Sequence, residues 1–223
     1  MPLTAAWYAF CLGLAAGMTI LAATAYAGLS PRWLRWLLLG CAAFQASRYA
    51  TMLVFATAPD PEAVWWLRRC WLASAIALTL PGVIAADQLV RHPAMTPKKL
   101  LQRFSPFLAA YAVVLLFGRF ELAPDPVAGA YPKLYGWARI VITVTQSAFV
   151  LGFCWIAGQL VRRLPSPSIR RALLGLMLAY AWLGVDGVLV SLGRWYVRPF
   201  LFSEMATLAA IWFALHTARS QTA

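Results

Sequence analysis

Charged side chains inside long apolar stretches are where this sequence can do chemistry, because a charge surrounded by hydrocarbon is costly and is kept only with a partner or a task. Arg48 and Asp186 are the two most deeply placed. Each lies about 15 residues from the basic end of its stretch, so at about 1.5 Å of rise per residue both sit about two-thirds of the way to the opposite face. The matched depth predicts that they meet. Arg68, Arg69, Arg139 and Glu204 fall one or two turns inside the same ends of their stretches. Together with Arg194 and Arg198 they give that end an excess of guanidinium groups, which donate paired hydrogen bonds to carboxylate or phosphate. Two roles fit the set. One is a buried Arg48–Asp186 pair that fixes helix register while the other arginines snorkel to the interface. The other is a polar pocket that takes a small, anionic ligand. Gln45, Tyr49, Asp87 and Gln146 are secondary polar positions, expected as helix-to-helix hydrogen bonds.

Other chemistries find little support. Cys11, Cys41, Cys70 and Cys154 show neither ligand spacing nor pairing and are expected as small packing residues. His92 and His216 are too far apart along the chain and the bilayer for paired haem ligation, which leaves His216 a proton or quinone role at most. No phosphate loop or pair of nucleophile and base is visible, so no enzyme, cofactor or metal site is expected.

The elements that position these residues follow from composition. The chain of 223 residues is 62% hydrophobic and 12% charged, against about 25% charged in soluble domains. About 20 apolar residues span a bilayer core of roughly 30 Å. Seven stretches qualify, at 4–28, 33–56, 63–90, 100–118, 134–161, 171–193 and 199–219. The expected fold is therefore all-α, one seven-helix transmembrane domain over residues 1–223. Strands are excluded, since no segment alternates as a barrel strand does and a lone spanning strand leaves its backbone unpaired in lipid. The first stretch is longer than a signal-peptide core and has no basic residue before it, so it is expected to be retained.

A net charge of +12 suggests nucleic acid in a soluble protein, but here the charges sort by loop and no nucleic acid partner is expected. Arg32, Arg35, Arg91, Lys98, Lys99, Arg103, Arg162, Arg163, Arg170, Arg171 and Arg219 fall at one set of ends, with Asp87 opposing them. The positive-inside rule then puts the N-terminus outside and the C-terminus in the cytoplasm of a bacterial inner membrane, with anionic lipid against the basic turns. The opposite loops carry Asp60, Glu62, Glu121 and Asp125, and two APDP turns at Ala58–Pro61 and Ala123–Pro126. The longest of them, Arg119 to Tyr135, is expected to lie on the membrane surface with Tyr131 and Tyr135 at headgroup depth. Gly13 with Gly17, and Gly175 with Ala179, are small pairs expected to serve packing inside the bundle. Pro81 and Gly82, mid-helix in the third stretch, predict either a fixed bend or a hinge.

Trp65, Trp66 and Trp71 open the third stretch, Pro81 follows about three turns deeper, and a basic turn precedes Phe104 and Pro106. In these features the chain resembles the seven-transmembrane sensory region of some bacterial histidine kinases and related signalling proteins. The resemblance implies a sensor that binds a small ligand or a membrane partner. Such regions normally feed a cytoplasmic kinase or cyclase, whereas this sequence stops just after Arg219, so the output is expected from a separate signalling or membrane protein. Two other functions fit the composition: an accessory subunit of a larger membrane complex, and a small transporter using Arg48 and Asp186. Retinal chemistry is excluded because Lys98, Lys99 and Lys133 all lie outside the stretches. The repeat pattern of the SWEET transporters is absent, because Pro81 has no counterpart in the interiors of the fifth to seventh helices and no Pro-Gln motif appears.

Overall fold

The computed structural model describes residues 3–57, 61–92, 95–125, 129–191 and 200–221. Arg194, Arg198 and the centre of the first APDP turn lie outside them. Seven helical stretches among the described residues are long and apolar enough to cross a membrane, which makes this a multi-pass membrane protein. They are α1 (Leu3–Ala27), α2 (Arg32–Thr57), a third crossing over Trp66–Val90, α5 (Pro97–Phe117), α6 (Gly136–Arg163), α7 (Pro167–Ser191) and α8 (Phe200–Ser220). The third crossing is built from a 3-10 helix (Pro61–Leu72), α3 (Ala73–Ala77) and α4 (Thr79–Val90).

Local chemistry sets several of these boundaries. Thr96 caps α5 by accepting from the Lys99 amide at 3.3 Å, and Pro97 follows at the first turn, where its missing donor is of no consequence. Gly136 takes a left-handed φ of 59° at the start of α6, a conformation that favours glycine.

The helices alternate in direction, so one end of the bundle collects the α1–α2, α4–α5 and α6–α7 connections and the end of α8. We call this the basic end. The helices form a ring in the order α1, α8, α7, α6, α5, third crossing, α2 and back to α1, and α4 leans inward against α7 and α8. Burial follows that order. The third and seventh crossings are 56% and 50% buried, against 17% for α5 and α6, whose Ile140, Leu151 and Trp155 face outward. These outward apolar faces are what a lipid solvent requires.

The opposite end differs from expectation in one respect. The connection after α5 is a β-hairpin, with β1 (Phe120–Asp125) antiparallel to β2 (Gly129–Leu134) and Glu121 opposite Lys133. The exclusion of strands holds for crossings but not for this cap. Its alternation is short: Ala130 and Pro132 are buried against the 3-10 helix and the end of α2, while Glu121 and Lys133 face out. We call this the hairpin end.

A Cβ added at Gly13 or Gly17 would meet nothing within 4 Å, so this pair faces outward from α1 and is not packed inside the bundle as expected. The reason is register. The packed face of α1 carries Cys11, Leu12, Ala15, Thr19 and Ala22, which turns 13 and 17 away from α2 and α8. The Pro81–Gly82 bend is filled. Helix α3 ends before Leu78, and the Tyr180 hydroxyl of α7 donates to the Leu78 carbonyl at 2.6 Å in the gap.

Candidate functional site

The polar cluster forms where α2 faces α8 near the hairpin end. On α2, Leu38, Cys41, Gln45, Arg48 with Tyr49, Met52 and Phe55 recur every three or four residues, so one buried stripe carries both apolar and polar groups. On α8, Ser203, Glu204, Thr207 and Leu208 are buried at the matching end. The backbones of α2 and α8 are held apart by α1 and α4, and long side chains bridge the gap.

Arg48 pairs with Glu204. Its Nη2 lies 3.0 Å from Glu204 Oε1, and its Nε donates to Glu204 Oε2 at 3.3 Å. The remaining Nη1 donates to the Trp71 carbonyl, and the guanidinium lies 5.1 Å from the Trp71 ring centroid. Gln45 Nε2 donates to Glu204 Oε2 at 3.2 Å and to the Tyr49 hydroxyl at 2.8 Å. The Tyr49 hydroxyl donates in turn to Glu204 Oε2 at 3.0 Å. Arg48 is 3% exposed and Glu204 0%. The pair therefore staples α2, α8 and the 3-10 helix together, with the Tyr8, Leu12, Met52 and Leu201 cluster packed beside it.

This corrects the expected Arg48–Asp186 pairing. Depth along the bundle normal was matched for both carboxylates, but only α8 turns one toward α2. Asp186 sits one helix further round the ring. It is 1% exposed, its polar neighbours are Ser203 and Trp182, and Glu204 lies within electrostatic reach. Asp186 Oδ2 is buried without a hydrogen-bond partner among the described residues, as is Gln45 Oε1.

The other expected site arginines do not join this cluster. Arg68 donates to the Phe120 carbonyl at 2.7 Å and so ties the 3-10 helix to β1. Arg69 donates to the Leu115 and Leu116 carbonyls, which are among the last four of α5 and have no acceptor role within that helix. Arg139 is exposed on α6. The basic end repeats this use of arginine. Arg91 donates to the Ala218 carbonyl at 2.8 Å, Arg219 to the Ala25 carbonyl, and Arg35 to the Leu29 carbonyl at 3.3 Å. A residue-type reading counts these as free cations, and their real partners, main-chain carbonyls at helix ends, in β1 and in the α1–α2 connection, leave no mark in the sequence.

The secondary polar positions divide. Gln45 and Tyr49 belong to the network, and the Tyr111 hydroxyl of α5 donates to Gln146 of α6 at 3.0 Å as a helix-to-helix bond. Asp87 is half-buried one turn before Arg91, whose amide donates to the Asp87 carbonyl at 2.8 Å. His216 is exposed and stacks on Trp212, ring centroids 5.4 Å apart. All four cysteines are free thiols, with Cys11 and Cys41 in the packed core. A depression of about 400 Å³ opens where the hairpin meets α6, lined by Arg119, Glu121, Tyr135, Gly136 and Trp137, and none of the expected site residues lines it.

No protein-family model matches the chain, and neither a curated protein nor a solved structure matches it, so the reading of this site rests on its own geometry.

Proposed function

We propose that this is a sensor-like receptor of the bacterial inner membrane, in which occupancy of the α2–α8 seam is carried by α8 to the basic end and read there by a separate membrane or cytoplasmic partner. The observation that supports this reading is how α8 is held. At the hairpin end Glu204 is gripped by Gln45, Arg48 and Tyr49. At the basic end Ala218 accepts from Arg91, and Arg219 reaches to α1. Between these polar ties the contacts of Leu208, Ile211, Ala214 and Leu215 are apolar. A helix of 21 residues spans about 30 Å, so a shift in the upper ties moves the lower ones as a rigid lever. Any ligand must bind the two arrangements unequally to move it. An anion finds little at this seam, because every nitrogen of Arg48 already faces an acceptor and Arg68 and Arg69 are engaged by carbonyls.

The test uses the intact chain in mild detergent. Native mass spectrometry should retain a small molecule on the wild type and lose it from Gln45→Met, which spares the ion pair. If nothing co-purifies and no compound, ion or change of pH in a thermal-shift screen acts through the residues of this seam, the receptor reading fails. Orientation is tested separately. With eleven basic residues at one set of ends, a reporter fused after Ala223 should be active only in the cytoplasm. Periplasmic activity there would invert the proposal.

A second reading, an accessory subunit of a larger membrane complex, is favoured by the outward glycines of α1. Gly13 and Gly17 offer a flat strip on which another helix can approach closely in lipid. Because a Cβ added there meets nothing within 4 Å, Gly17→Ile should not lower the melting temperature. Loss of a co-purifying partner from this variant alone would establish the subunit reading; an association indifferent to it would exclude α1 as the contact.

A further inference from the structure

Among the described residues the seam holds one positive charge, Arg48, against two negative ones, Glu204 and Asp186, and none of the three is more than 3% exposed. It also holds acceptors without donors. Among the described residues Asp186 Oδ2 and Gln45 Oε1 have no hydrogen-bond partner, and Glu204 Oε1 meets Arg48 Nη2 off the hydrogen-bond axis. The Gln45 carbonyl belongs to the cluster by covalent necessity, since its own Nε2 lies 3.2 Å from Glu204 Oε2. Asp186 is tied to the same group through its neighbours Ser203 and Glu204 on α8. Among the described residues the rest of its surroundings bring no compensating charge: α6 meets α7 nearby through Val150 against Gly184, and the third crossing meets it through Leu78 and Gly82 against Tyr180.

An unmatched negative charge in an apolar interior is costly, and a buried acceptor without a donor adds to the cost. Both deficits are met by one bound positive charge. We infer that the α2–α7–α8 seam is a site for a single monovalent cation, centred on Asp186, and that this cation is the ligand chemistry the receptor reading requires. The inference rests on that reading for its role but not for its occupancy. One uncompensated carboxylate matches one charge and not a divalent ion, and a set made only of carboxylate and amide oxygens is a hard one, suited to an alkali ion or a proton.

The experiment follows the melting temperature of the full chain in mild detergent. In one arm sodium chloride replaces choline chloride at fixed pH and ionic strength; in the other, pH is lowered in choline alone. The wild type should rise in the sodium arm if the occupant is an alkali ion, and in the acid arm if it is a proton. Asp186→Asn carries neutrality covalently, so it should melt no lower than the unloaded wild type and respond in neither arm. Gln45→Met removes a neutral oxygen and keeps all three charges; it should weaken the sodium response and leave the acid response. A wild type indifferent to both, or an Asp186→Asn response equal to the wild type's, overturns the cation site. Should Asp186→Asn fail to fold, the indifference or response of the wild type and Gln45→Met still decides. A co-purifying molecule that binds Asp186→Asn as well as the wild type would remove the cation while leaving the receptor.

Discussion

Glu204→Gln should destabilise the protein by roughly 3–5 kcal/mol, the range seen when one partner of a buried pair is removed. The substitution keeps shape and changes charge. Arg48 then has no carboxylate within 4.0 Å among the described residues, and one end of the new amide turns a donor toward Arg48, Gln45 and Tyr49, which are themselves donating. Arg48→Gln should cost more. It leaves Glu204 and Asp186 together with no cation, whereas Glu204→Gln leaves one charge of each sign in the seam. The double variant Arg48→Gln/Glu204→Gln should recover much of either loss, since removing both charges removes the desolvation penalty as well. Thermal unfolding of the purified chain measures the order. Equal, small effects for both single variants would mean that the pair is solvated and holds nothing together.

That prediction differs from one made on depth alone, and the difference shows what the sequence makes legible. The seven crossings were readable because length and hydropathy answer directly to bilayer thickness; the described helices fall over the expected stretches, with ends shifted by a few residues. The depth of each charge was readable by the same count of 1.5 Å per residue. Which charge faces which was not. A pairing depends on the direction of a side chain around its helix axis and on the order of helices in the ring, and neither is a property of one segment. Glu204 was visible at the right depth. Only the position of α8, between α7 and α1, turns it toward Arg48 and sets Asp186 aside.

The arginines carry the same lesson from the other direction. Arg68, Arg69, Arg91 and Arg219 were countable as charge at the two ends of the bundle, where the first two helped to suggest an anionic ligand and the last two an inner face. Their partners are backbone carbonyls, which every residue possesses, so nothing in the sequence distinguishes an arginine bound to a helix terminus from one free to take a ligand. The β-hairpin was hidden for a related reason. Two six-residue strands interrupted by Pro124 and Pro132 give too short an alternation to stand out beside helices of 21 residues and more.

Gly82→Ala should lower stability by roughly 1–3 kcal/mol from overpacking, with about another 1 kcal/mol if a hydrogen bond is lost as well. An added Cβ would stand 1.7 Å from the Tyr180 hydroxyl oxygen, 2.5 Å from Cζ and 2.7 Å from Cε2. Something must move, and each escape is blocked. The hydroxyl cannot retreat without releasing the Leu78 carbonyl, to which it donates at 2.6 Å. The ring cannot swing, because Phe149 and Phe153 pack against it at centroid distances of 5.2 and 4.6 Å. The backbone of α4 is fixed by the Gly82 amide, which donates to the same Leu78 carbonyl at 3.1 Å. Tyr180→Phe alone should be mild, since Leu78 keeps that second donor. Combined with Gly82→Ala it should relieve the closest contact but not the ring contacts, so the pair of changes should cost less than the sum of the two singles. A double-mutant cycle on melting temperature reads that coupling. Additive losses, or an unchanged melting temperature for Gly82→Ala, would mean that Tyr180 leaves the bend easily, and the third crossing would then work as a hinge and not as a wedge held open by tyrosine.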